Sequence, residues 1–93
     1  MPQFIIERNI DGASTLSTEE LAEIASKSNE VVAGLGVPYR WLTSYVAGDK
    51  LYCVHETEHA ETVRQHARRG GFHADSVVEI AAVIGPETAP PSR

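Results

Sequence analysis

Apolar and polar positions regroup along this chain at two different spacings, and together they spell an alternation of strands and helices. From Phe4 to Ile10 the run Phe-Ile-Ile-Glu-Arg-Asn-Ile is rich in β-branched and aromatic side chains up to the turn pair Asp11-Gly12, which predicts a strand. At Ser17-Thr18-Glu19-Glu20 the pattern changes. The Ser17 hydroxyl is placed to accept an orphan amide while Glu20 reaches back, the signature of a helix start. Leu21, Ile24, Ala25, Ser28, Val32 and Leu35 then recur at helical spacing, opposite Glu19, Glu23, Lys27 and Glu30. Gly34, Gly36 and Pro38 stop that helix. Tyr39 to Ala47 alternates again and predicts a strand with Trp41, Thr43 and Tyr45 on one face and Leu42, Ser44 and Val46 on the other. Gly48-Asp49 is suited to a type II′ turn, and Lys50 to Glu56 returns as its partner strand.

A second helix is expected from Thr57, as N-cap, to Arg69, with Ala60, Val63 and Ala67 inward, Glu58 and Glu61 early and Arg68-Arg69 late, in accord with the helix dipole. Gly70-Gly71 ends it and lets Phe72 pack back on the last turn. Ser76 to Ile84 reads as a fourth strand, and the proline-bearing segment 86–93 as a flexible tail, leaving residues 1–85 as one domain. The order strand, helix, strand, strand, helix, strand closes most simply into an α+β ferredoxin-like βαββαβ sandwich. In it a four-stranded antiparallel sheet carries two helices on one face. The other face stays bare. With Ile5, Trp41, Tyr45, Leu51 and Val77 or Val78 available to one side or the other, the expectation is a homodimer that covers it.

Composition narrows the function classes. Of 93 residues, 8 are Lys or Arg and 13 Asp or Glu, a formal net charge of -5, so the basic footprint required by nucleic acid or anionic lipid is missing. No apolar run approaches the roughly 18 residues of a spanning helix, and Met1-Pro2-Gln3-Phe4 lacks the basic and apolar parts of a signal peptide. A soluble, cytoplasmic protein is expected, and the lone Cys53 agrees with a reducing compartment.

Chemistry-bearing residues cluster in the second half. His55-Glu56-Thr57-Glu58-His59 matches H-E-x-x-H, yet a zinc protease needs that motif on one continuous helix, and here a strand-to-helix boundary divides it. His59 and His66 are seven apart, about 10.5 Å along a helix axis, too far to share an ion. His66 stands beside Val63 and Ala67 and is therefore expected to face the sheet, where an imidazole requires a hydrogen-bond partner or a metal. Glu56, Cys53 and His55 on the third strand are the further donors. Imidazole, carboxylate and thiolate together suit nickel, zinc or copper rather than calcium or magnesium. Trp41 and Tyr45 are candidates to line an apolar pocket for a small organic ligand, with His66 as its polar handle.

Three blocks also resemble a known family: Phe4-Ile5-Ile6-Glu7-Arg8, the hairpin from Ser44 to Val54, and His66-Ala67-Arg68-Arg69-Gly70-Gly71-Phe72. They are similar to small bacterial ferredoxin-like proteins named nickel-binding proteins or domains of unknown function. The resemblance runs from Pro2 to Thr88 and implies a ferredoxin-like fold, a dimer and nickel as the bound ion. It carries over to His66, Cys53 and Glu56; the chain departs from the family pattern at His55, His59 and His73, so a site built on His55 or His59 would be this protein's own. Two further readings stand beside nickel binding. One is an enzyme or cyclase-like module with His66 as general acid or base in a pocket between sheet and helices, by fold analogy alone. The other is a structural or protein-interaction subunit that docks through its bare sheet.

Overall fold

Side chains alternate strictly along Gln3–Asn9, where Phe4, Ile6 and Arg8 are buried and their neighbours point the other way. The computed structural model describes residues 1–91. The Gln3–Asn9 strand is β1, followed by α1 (Thr18–Gly34), β2 (Tyr39–Ala47), β3 (Lys50–Thr57), α2 (Ala60–Gly70) and β4 (Ser76–Glu79), with 3-10 turns at Ala13–Thr15 and Pro86–Thr88. The strands form one four-stranded sheet in the order β2-β3-β1-β4, antiparallel at every pairing. This is the ferredoxin-like α+β arrangement, with the hairpin β2–β3 on one side and β4 returning beside β1.

Local chemistry accounts for each boundary. The capping box at Ser17 and Glu20 is formed in both directions. Asp49 keeps a negative φ while Gly48 sits at +60°, so only one central residue of the hairpin is left-handed, as a type II′ turn requires. At the end of α2 the Phe72 amide donates to the Ala67 carbonyl and the Gly71 amide to Arg68, with Gly71 at φ +70°; this is a Schellman motif, and it folds Phe72 back over the helix. The core joins Phe4, Ile6, Leu51 and Cys53 of the sheet to Val63 of α2 and the buried Tyr39 of β2.

Two sequence expectations shift. Thr57 is the last residue of β3 instead of a helix cap: its amide donates to the Pro2 carbonyl and its hydroxyl to the Pro38 carbonyl at 2.8 Å, so the ladder outcompetes the cap and His59 takes the N-cap position. The fourth strand is shorter than its Val and Ile content predicts and ends at Glu79. Of the tail expected over 86–93, Pro86–Thr88 turn, and residues 92 and 93 lie outside the described residues.

The third difference is a β-bulge. Trp41 pairs with His55 and Thr43 with Val54, which leaves Leu42 as an extra residue and resets the alternation. The Trp41 indole N–H donates to the Ser44 hydroxyl at 2.9 Å across the irregularity. Trp41, Ser44 and Val46 consequently face the helices, while Tyr45, expected on the same face as Trp41, lies on the open face and is 61% exposed.

Candidate functional site

The strands present Arg8 from β1 and Leu51, Cys53 and His55 from β3 to the helices, because alternate positions of adjacent strands share a face. From above, α1 lowers Ser28 from the middle of its apolar stripe, and α2 lowers His66 between Val63 and Ala67. Phe72 and His73 close one side from the loop after α2. These residues line a partly open cavity of about 380 Å³ whose remaining walls include Leu21, Ile24 and Trp41.

His66 and His55 are each 1% exposed. Their rings meet edge to face with centroids 5.0 Å apart, and Tyr39 stacks on His66 at 5.4 Å while Phe72 stacks on it at 5.6 Å. His55 Nδ1 is hydrogen-bonded to the Tyr39 hydroxyl, leaving Nε2 as its other ring nitrogen. His66 Nε2 is 3.1 Å from the Ser28 hydroxyl, whereas its Nδ1 is buried with no partner among the described residues. An unpaired buried ring nitrogen costs about 1–3 kcal/mol, which marks it as an atom that a ligand would complete.

Electrostatics keep both rings neutral. Burial pulls His55 down to about 3, aided by the repulsion a protonated His66 would exert and by Arg8, and burial together with Arg8 pulls His66 down to about 4. Burial likewise raises the Tyr39 phenol, which therefore stays protonated.

The expected site residues separate into two groups. His66, His55, Cys53 and Trp41 line this cavity. Glu56 and Tyr45 do not. Glu56 points to the opposite face of β3, where it accepts from the Gln3 amide at 3.1 Å and from Arg40 at 3.2 Å; those partners hold its carboxyl below the usual carboxylate range. Strand alternation alone accounts for this, since residues 55 and 56 cannot share a face. His59 is exposed at the start of α2, so the H-E-x-x-H string is divided between a buried strand end and a solvated helix end. Among the described residues no three His, Cys, Asp or Glu side chains gather into a ready-made metal cage.

Sequence reasoning misses Arg8, Ser28, Tyr39 and Phe72 as members of the site. A signal for Arg8 exists: it continues the inward alternation of Phe4 and Ile6. Ser28 belongs to the buried stripe of α1 in the sequence pattern, which does not reveal its partner on α2.

A ferredoxin-like sandwich whose helix-covered face encloses a neutral histidine pair defines the class of protein. The chain belongs to the family of nickel responsive proteins described as SCO4226-like, whose model matches residues 4–80. Among solved structures, the crystal structure of SCO4226 from Streptomyces coelicolor A3(2) is similar in fold, with a TM-score of 0.73 at 19% identity over 88% of this chain and 99% of that one. No curated protein matches the chain. No helix among the described residues is long and apolar enough to cross a membrane.

Proposed function

We propose that this protein binds a transition-metal ion, nickel by membership of a nickel responsive family, at the paired imidazoles of His55 and His66. The observation that carries the reading is the buried, unpartnered Nδ1 of His66 beside a second imidazole that is also neutral. Metal ligation requires an unprotonated ring nitrogen, and burial supplies two such rings without competition from protons at neutral pH. His66 would bind through Nδ1, with Nε2–H donating to Ser28; His55 would bind through Nε2, with Nδ1–H donating to the Tyr39 hydroxyl oxygen. Cys53 lines the same cavity and would add a soft sulfur donor, of the kind that suits nickel, zinc or copper, only if its side chain moved toward the two imidazoles. Glu56 has no part in this set.

The test is a calorimetric titration of tag-free, metal-free protein with nickel, comparing wild type with His66→Gln. A loss of at least about tenfold in affinity supports the assignment; equal affinity removes His66 from the site.

The same reading includes a homodimer. Tyr45, Ile5 and Val78 are exposed on the open face of the sheet, and Val78 lies directly beside Ile5 in the ladder, so a second copy would cover an apolar row. Sedimentation equilibrium of wild type and Tyr45→Glu measures it: a dimer weakened by the substitution is the expected result, and a wild-type monomer at all concentrations contradicts it.

A further inference from the structure

Arg8 is 4% exposed, yet among the described residues no carboxylate forms an ion pair with it. Its protein partners are the His73 carbonyl, which accepts one hydrogen bond, and the Phe72 ring, whose centroid is 5.5 Å from the guanidinium carbon. A guanidinium carries five N–H donors and its charge persists in proteins, so one carbonyl and one aromatic face leave most of its capacity unused. Burying such a group without a counter-ion is costly, and proteins rarely do it. Arg8 lines the cavity.

The surroundings reinforce the sign. Although the chain carries a net charge of -5, the cavity lining holds Arg8 and not one Asp or Glu. Arg8 thus brings a buried positive charge to a largely apolar, partly open cavity, where a charge-assisted pair is stronger than in water. The walls decide between kinds of anion. A bare inorganic ion would leave Leu21, Ile24 and Trp41 facing water, whereas about 380 Å³ matches the lower range of pockets for small organic molecules.

We propose that the cavity binds a small organic carboxylate, its carboxyl group paired with the Arg8 guanidinium and its apolar body against Trp41, Leu21 and Phe72. The planar fork of arginine matches the two carboxylate oxygens. This goes beyond the metal reading and needs no ion.

Trp41 is the single tryptophan and lines the cavity, so its fluorescence reports occupancy directly. Phenylacetate and its uncharged isostere phenylacetamide are titrated into metal-free protein at neutral pH. Wild type is expected to give a saturable change with the acid and at least about tenfold weaker binding of the amide. Arg8→Gln loses that preference; Arg8→Lys, which keeps the charge without the fork, retains part of it. Circular dichroism establishes that each variant folds, and should Arg8→Gln fail, the acid–amide comparison in wild type and Arg8→Lys decides. Equal binding of acid and amide by wild type, no saturable binding of either, a preference that survives in Arg8→Gln, or tighter binding of inorganic phosphate than of phenylacetate overturns the proposal. Because the titration uses metal-free protein, these outcomes are independent of the nickel titration.

Discussion

His55 and His66 approach each other at an interplanar angle of 79° with centroids 5.0 Å apart, one from the sheet and one from the helix packed over it. The contact joins a strand to a helix on the covered face of the sheet, so the site exists only once the sandwich has closed. Each ring is anchored by a different hydroxyl, Tyr39 for His55 and Ser28 for His66.

Acid should therefore unfold this protein earlier than its carboxylates alone would dictate. Both imidazoles have folded-state values lowered from 6.5, to about 3 and about 4, so between those values and 6.5 the unfolded chain binds more protons than the native one. Stability is then fully present above about pH 6.5 and declines as pH falls towards 4, by about 1 kcal/mol per pH unit for each ring. Urea unfolding across that range measures the slope. His55→Gln and His66→Gln should each flatten it, and an unchanged slope in both would contradict the neutral-pair assignment.

The hydroxyl anchors can be removed singly. Ser28→Ala leaves His66 with neither nitrogen paired and should cost about 1–3 kcal/mol, and Tyr39→Phe should cost a similar amount by stranding His55 Nδ1. Thermal unfolding of both variants gives the number. Exposed Ser17→Ala, whose loss removes a cap, should cost less, about 1 kcal/mol, and leave the imidazole titrations unmoved.

Gly70 is required for a reason other than its backbone angle. A Cβ there would overlap the Phe72 ring, which is the ring stacked on His66. Gly70→Ala is expected to displace Phe72, loosen the Arg8 contact and open the cavity, seen as a shift of Trp41 emission with destabilisation of about 1–3 kcal/mol. Trp41 emission identical to wild type would show that Phe72 does not close the cavity.

Element order, sheet topology and the inward turn of His66 are legible in the sequence because each rests on local periodicity or on a capping motif such as Ser17-Glu20. Where two short-range signals compete, local pattern is not enough. Thr57 has the chemistry of a cap and the propensity of a strand, and only the carbonyls of Pro2 and Pro38, distant in sequence, decide for the strand. The bulge at Leu42 has no marker of its own, since no glycine or proline announces it, and it moves Tyr45 off the face of Trp41. Glu56 is separable from His55 by pattern alone, because adjacent strand residues face opposite ways. Arg8 is easily overlooked because charge ordinarily signals solvent, although its place in the alternation with Phe4 and Ile6 points inward.

Side-chain imidazole NMR of tag-free protein during addition of paramagnetic nickel tests the metal assignment most directly. The account expects the His55 and His66 signals to broaden away at substoichiometric nickel while the exposed His59 persists. Selective loss of His59 with both buried rings unaffected would contradict it.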